Sequence, residues 1–549
     1  MKMKKIYALI LGLGILAAFA SSCSKSEFET KFYDPSKTTT VTCDKLMTGA
    51  FYVAIDQYVS YGYASYWRLY TWENYFARLA QTVGFTNDSG TVYFLQDGWA
   101  NNRWENFYEM LMQYRRLQET YNNEDAESQA EDKIFLDLTE VYLYDQLSQV
   151  VDMFGPVPFE KAGYLGITGD LASSYASYDS DKDLYKMMID RLGELYTEIG
   201  SIKSSITSVV QAKLTKQDFI NGGDLDKWLR FTNSLRLRLA MRVATNGDLT
   251  STGQAAVKDA AGKSLITTIE NATVGKVGPE STGGMKFWEG YREGYGGDGL
   301  NSTASQAMID AMMITGDEDP RLRVIYNPNE AGQFIGKSVK ETKAAQEAND
   351  NLRSNNWTNR VYATLDSVTF IGNGLMENFV FSPAETYFIL AEAYQRGYAS
   401  GDAKAAFKNG VKYSVYQYYY WNMNSTPQGN MSTYRHYKAD AVPSDASIEA
   451  YAEKVWNAYS DKVEAIMTQK WLHFGLTDAH QAWSDIRRTG YPALDHPTDA
   501  QAQVNPNVTQ RVCYPLKEKN NNTANYNAAI TSVGNDSATH VLFWAKEVK

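Results

Sequence analysis

The sequence predicts an all-α protein, mainly helical with minor irregular β, and three observations carry this. Apolar residues recur with a 3.6-residue period along much of the chain, strand-like alternation is scarce, and one pair of segments alternates large and small residues as a helical hairpin requires. Periodicity and end signals place helices over 43–59, 66–82, 103–122, 125–150, 182–203, 225–245, 302–313, 383–397, 402–419 and 447–473. Between them lie long connections rich in Gly, Asn, Ser and Asp, notably 84–102, 246–300, 326–360 and 420–446. Loops of this length in a compact domain usually carry function.

The hairpin falls at 384–416. Tyr387, Leu390, Ala391 and Tyr394 are followed by Ala403, Phe407 and Gly410, which reproduces the tetratricopeptide spacing, with Val415 where that repeat usually has Pro. Ala391 and Ala403 let the helices approach, and Tyr387, Leu390, Tyr394 and Phe407 fill the groove between them. One hairpin cannot bury both faces, so further pairs must stack on it, with 103–122 and 125–150 as candidates. In 225–245, Trp228, Phe231, Leu235, Leu239 and Val243 form one buried stripe. Arg230, Arg236, Arg238 and Arg242 flank it and, like Arg487 and Arg488, read as partners of neighbouring acids within the scaffold, with an acidic ligand as the alternative.

At the N-terminus, Lys2, Lys4 and Lys5 precede an uncharged apolar run from Ile6 to Ala20. As a helix that run would rise about 22 Å, short of a hydrocarbon core of about 30 Å, so it reads as a cleaved secretory signal. It ends in Phe19-Ala20-Ser21-Ser22-Cys23, similar to the lipobox of bacterial lipoproteins, although Ala20 stands where that motif usually has Leu. The expected organisation is a signal peptide over 1–22, a tether over 23–40 lipidated at Cys23, and a helical domain over 41–549. Ordinary cleavage beside an incidental cysteine is the alternative. Loss of the three lysines takes the net charge from -11 to -14, which argues against nucleic acid as a partner. Cys43 and Cys513 are isolated, with no CxxC and no metal-ligand spacing, and the sequence leaves open whether they pair.

Enzymatic motifs are weak. Gly294, Gly296 and Gly299 form a GxGxxG without the strand a dinucleotide fingerprint needs, and Gly336-Lys337-Ser338 has Ala331 where a P-loop needs glycine. His473, Asp478 and His480 near Asp485 read as packing and hydrogen-bonding groups, so no cofactor or metal is expected.

Aromatic content points to binding: 39 Tyr and 12 Trp, with aromatics making 13% of the chain. A sugar or similar ligand stacks its C–H face on a ring while Asp, Asn, Gln or Arg meet its hydroxyls. Two loops offer that mixture. The first carries Gln96, Asp97, Trp99, Asn101 and Asn102 beside the helix bearing Trp72 and Tyr75; the second carries Trp288, Tyr291, Arg292 and Tyr295 among glycines.

Further stretches carry a family resemblance. They are Val150 to Phe159 (VVDMFGPVPF), Gly222-Gly223-Asp224 leading to Trp228 and Leu235 to Arg242, Asp319 to Leu322, Ser382 to Arg396, and Gln469-Lys470-Trp471. Ala482 to Pro492, then Arg511, Tyr514-Pro515, Glu518 and Asn525 to Ile530 complete the order. Together they resemble the SusD/RagB outer-membrane lipoproteins, in particular the SusD-like branch, over nearly the whole mature chain. The resemblance implies a SusD-like fold with tetratricopeptide-like hairpins and a surface-exposed, lipid-anchored position at the outer membrane. It further implies a SusC-like TonB-dependent transporter as partner, to which a glycan or other small nutrient is delivered without catalysis. A helical surface scaffold or adhesin that binds protein or peptide is the alternative from another class, and a lipoprotein hydrolase a further one.

Overall fold

The computed structural model describes residues 41–55, 72–86, 95–275, 303–351, 360–371, 373, 378–425, 437–495 and 509–546. The part from Cys43 onward is a single unit. Its helices are α1 (Cys43–Ile55), α2 (Asn74–Leu79), α3 (Asp97–Asn122), α4 (Ala126–Phe154), α5 (Asp181–Ser205), α6 (Ser208–Gln217), α7 (Leu225–Val243), α8 (Thr250–Ala261) and α9 (Gln306–Met312). They continue as α10 (Lys343–Asn351), α11 (Pro383–Gln395), α12 (Ala403–Met423), α13 (Asp445–Ala458), α14 (Lys462–Phe474), α15 (Ala479–Thr489), α16 (Leu516–Asn521) and α17 (Thr523–Val533). Short strands form two antiparallel pairs, β1 (Thr273–Gly275) with β4 (Asn378–Phe381) and β2 (Tyr326–Asn327) with β3 (Thr364–Leu365). The fold is all-α with minor β, as the periodicity requires.

Polar residues at the helix entries explain where the elements start. Asp125, Ser180, Thr207, Asp224, Ser382 and Asp402 each accept a backbone N–H of the first turn, which satisfies donors that have no partner inside the helix. The Gly222-Gly223-Asp224 motif is built the same way. Asp218 gathers the N–H groups of Ile220, Asn221 and Gly223 and the indole of Trp228 at 2.7 Å. Gly223 has φ +78°, and a Cβ there would meet Thr215 at 2.8 Å.

Several boundaries differ from the sequence reading: 326–360, read as loop, contains α10, and the helices expected to end at 150 and 419 run to Phe154 and Met423. The segment 447–473 is two helices, because Tyr459 leaves the helix in an extended conformation and Asp461 caps a new one at Val463. The segment 246–300, read as loop, contains α8, whose Gly253 is a packing residue: a Cβ would meet Ala240 O and Ala244 N of the α7 end at 2.7 Å. Helix α3 begins at Asp97, six residues before the expected start at 103.

Packing runs from α1 against α3 and α4, through α5 and α7, to α8 and α11, and then α11 with α12 and α14, on both of which α13 packs. The α7 stripe of Trp228, Phe231, Leu235, Leu239 and Val243 is buried throughout. In the α11–α12 hairpin, Tyr387 stacks on Tyr413 at 5.4 Å, and a Cβ on Gly410 would meet the Phe388 ring at 2.6 Å. The small residue therefore sets the helix separation.

The motif arginines point inward. Arg238 makes a bidentate pair with Glu385 at 2.7 and 2.6 Å and reaches Asp145 at 3.2 Å. Arg242 lies 3.3 Å from both Asp152 and Asp485, and Arg488 binds Glu392 at 2.7 Å and Asp485 at 3.1 Å. Arg236 pairs with Asp259, and Arg487 covers the Trp483 ring at 3.3 Å. Burial alone would raise Asp485, but Lys470, Arg488 and Arg242 together hold it well below the usual carboxylate range.

Two predictions follow from this core. Arg238→Met leaves Glu385 buried without its bidentate cation and is expected to cost about 3–5 kcal/mol in urea unfolding, with a substantial part regained in Arg238→Met/Glu385→Leu. His473 is fully buried, its imidazole bound to Ser382 at 2.7 Å and Ser414 at 3.1 Å. Burial first, then Arg321 and Lys470, lower its pKa from 6.5 to about 3. Between those values the unfolded chain alone takes the proton, so this contribution is complete above pH 6.5 and is lost as pH falls toward 3. Denaturation midpoints across that window should show a slope of up to about 1.4 kcal/mol per pH unit from this group, absent in His473→Gln.

Candidate functional site

The first turn of α3 holds the residues expected in the first ligand loop. Gln96 precedes the helix in an extended conformation, and Gln96, Asp97, Gly98 and Asn102 are exposed, Trp99 is half-buried and Asn101 is buried. Gly98 has open space around its missing Cβ. Asp97 accepts the Leu516 N–H at 2.8 Å, and about two turns on Glu105 pairs with Lys517 at 2.6 Å, so α16 is fastened beside this end of α3. Trp72 and Tyr75 sit beneath the turn. Trp72 is fully buried under the Arg103 guanidinium, 4.9 Å from its ring centroid, and packs on Phe76 and on His480 at 5.4 Å. Tyr75 packs edge-on against Phe76. These two rings support the turn and are not exposed faces. Trp288, Tyr291, Arg292 and Tyr295 lie outside the described residues, as do Cys23 and the GxGxxG glycines.

One turn farther along α3, Trp104, Tyr108 and Met112 recur at four-residue spacing and form one wall of a cavity of about 200 Å3. Its roof is the segment 159–176, a compact loop held at both ends. Asp179 accepts the N–H groups of Phe159 at 2.7 Å and Glu160 at 2.9 Å, and Val157 bridges Asp179. Arg115 donates to Phe159 O at 2.7 Å and Ala162 O at 3.2 Å, with Tyr164 stacked 4.7 Å from its guanidinium. Gly163 takes φ +87°, where a Cβ would press on Arg115 at 3.1 Å. From the other side, Asn522 holds Ala176 O at 2.9 Å and Asn525 holds Tyr175 O at 3.0 Å.

Glu518 is the acid of this cavity. Asn522 donates to it at 2.7 Å, and the Tyr178 hydroxyl lies against it without a well-formed hydrogen bond of its own. Burial raises its pKa above the ordinary value, opposed by those two groups. An open cleft of about 470 Å3 continues from the cavity past Ser173 and Ala176, between Tyr164, Tyr175 and Asn525. Sequence reading missed this feature. Its signals were the order Gly155-Pro156-Val157-Pro158, which stops α4, and Glu518 with Asn525, which were read as scaffold.

The groups set aside in the sequence are engaged structurally. Lys337 pairs with Asp350 at 2.8 Å, and His480 packs among Trp72, Phe76 and Trp483. Cys43 and Cys513 are free thiols; the first donates to Glu124 at 3.3 Å, and the second contacts Asp536 O. Among the described residues one thiol and carboxylate group, Cys43, Glu124 and Asp132, converges closely enough to share an ion. Burial and then Glu124 push the Cys43 thiol up, which keeps it protonated at neutral pH. Among the described residues no helix is long and apolar enough to cross a membrane.

Stacked helices that expose an aromatic and polar turn beside a roofed cavity define a helical binding scaffold. The chain belongs to the SusD-like family, described as Susd and RagB outer membrane lipoprotein, whose model matches residues 37–545. Solved structures agree in fold. A chitin-binding protein superposes with a TM-score of 0.69 at 20% identity, covering 92% of this chain and 100% of its own. A SusD homologue from Parabacteroides distasonis gives 0.69 at 19%, covering 92% and 98%. A chitin-binding SusD homologue from Flavobacterium johnsoniae gives 0.65 at 18%, covering 91% and 99%. No curated protein matches the sequence.

Proposed function

We propose that this protein is a surface lipoprotein that captures a nutrient glycan and passes it to a SusC-like TonB-dependent transporter of the outer membrane, without breaking a bond. The observation that carries the reading is the family match from residue 37 to 545 together with the helical fold. Two of the similar structures are named as chitin-binding, which supports a carbohydrate as the ligand class. The exposed turn of Gln96, Asp97, Trp99 and Asn102 offers a partly open ring with acceptors and donors around it, and Trp288, Tyr291, Arg292 and Tyr295, outside the described residues, are the second set of candidate ligand contacts. Binding then comes from rings and hydrogen bonds already in position, which lowers the ordering cost on association. Cys23 carries the lipid, and more than one acyl chain is needed for stable attachment.

Isothermal titration of the purified mature chain with short malto-, cello- and chito-oligosaccharides should give saturable binding and unchanged ligand afterwards. Trp99→Ala should weaken it by about 1–3 kcal/mol, the worth of one buried aromatic contact. Binding by none of these sugars, or product appearing in the mixture, would sink the reading. Cys23→Ala should move the protein out of the membrane fraction on cell fractionation; retention equal to wild type would remove the anchor.

A further inference from the structure

We propose that the cavity roofed by the 159–176 loop is a second carbohydrate subsite, which takes one neutral sugar ring between the α3 wall and Glu518 while the rest of the chain lies in the adjoining cleft. This rests on the glycan reading above and goes beyond it in place, in residues and in ligand geometry.

Size comes first. About 200 Å3 equals roughly seven waters at about 30 Å3 each, room for a single six-membered ring, whereas sites for drug-sized ligands run to about 300–1,000 Å3. The lining is divided in the way a sugar is divided. Trp104, Tyr108 and Met112 present apolar surface to a C–H face, and Glu518 on α16, to which Asn522 donates, and Ser173 of the roof add polar atoms to the lining. The cleft beyond has Tyr175 at its edge, 49% exposed, and Tyr164 held flat by Arg115. A chain leaving the cavity therefore passes between two rings.

The same features weigh against other occupants. An acyl chain would cover the Glu518 carboxylate and exclude water from it while offering no donor in return, which is costly. A lysine or arginine side chain would have to shed its own water shell between apolar walls to reach a single carboxylate to which Asn522 already donates. Hydroxyl groups donate to such a carboxylate without bringing a second charge out of water.

The loop is secured at each end by Asp179, Arg115, Asn522 and Asn525, so the cavity exists before any ligand arrives. Ser174 is exposed at the cavity wall and its hydroxyl bonds only the neighbouring Leu171 carbonyl, which makes it a place to plug the opening.

The test titrates the full mature chain with the same oligosaccharides, using wild type, Ser174→Trp, Glu518→Gln, Trp99→Ala and the distant surface variant Met313→Ala, each checked by thermal unfolding. Ser174→Trp and Glu518→Gln are expected to weaken the best-bound sugar about tenfold or more, with Met313→Ala unchanged. If one of the two fails to fold, the other decides. Wild-type affinity in both, with loss in Trp99→Ala, overturns this subsite and leaves the glycan reading standing. Absence of sugar binding by wild type overturns both. Competition by trilysine that Glu518→Gln abolishes overturns the neutral-sugar assignment in favour of a cation.

Discussion

The structure depends on a set of buried charges where α4, α7, α11, α14 and α15 meet. Arg238, Arg242, Lys470 and Arg488 face Asp145, Asp152, Glu385, Glu392 and Asp485, nearly all of them out of contact with water. Charges taken out of water are tolerated only when paired and hydrogen-bonded in good geometry, and a shift of one helix by a turn would break several pairs at once. Apolar packing alone admits many registers for five helices. The charges admit one. Trp544, lying under both Arg242 and Arg487, extends the same constraint to the C-terminal segment, which is thereby fixed to α7 and α15.

That constraint reaches the binding surface through α4. Its last turns carry Asp145 and Asp152 into the charge cluster, and it then stops at Gly155, whose φ of +82° turns the chain into Pro156, Val157 and Pro158. The 159–176 loop starts from this rigid point. Tyr514, on the segment leading to α16, donates to Pro156 O at 2.7 Å and stacks on Phe154, so α16 and its Glu518 are positioned by the same corner. The cavity is bounded by three elements, and each is tied to the core within a few residues of the lining.

Much of the fold was legible because it rests on local periodicity. The Trp228 to Val243 stripe and the α11–α12 hairpin repeat at helical spacing, and their residues pack as that spacing dictates. Where a residue type has two uses, the reading failed. Gly253 lies in the stretch 246–300 that reads as loop and is a contact residue between α7 and α8; Gly98 and Asn102 read as loop and belong to the first two turns of α3. Of the ligand candidates, Trp72 and Tyr75 show the limit most clearly: an aromatic pair near a polar loop has the same composition whether its rings face solvent or support a helix from below. The cavity was illegible because its walls come from 104–112, 158–176 and 518–522, and only the fold brings these segments together.

A division of labour follows from the physics. Motif residues of the family type, such as Arg238, Glu385, Asp485 and Arg488, are consumed by one another, leaving no charge free to recognise a ligand. In the proposed function recognition falls to residues outside that cluster, the rings of α3 and of the 159–176 loop together with Glu518 on α16. Side chains of the loop can change without disturbing the buried pairs, since its anchors are chiefly backbone atoms, Phe159 N and O, Ala162 O and Ala176 O, whereas Trp104 on α3 is itself packed on Phe154 and Tyr514. A scaffold held by side chains and a binding surface held by its backbone can keep one shape while the ligand-facing side chains vary. If the ligand is decided by the lining of the proposed cavity, the buried arginine motifs carry no information about it, while Glu518 and Asn525 belong both to the family motifs and to that lining.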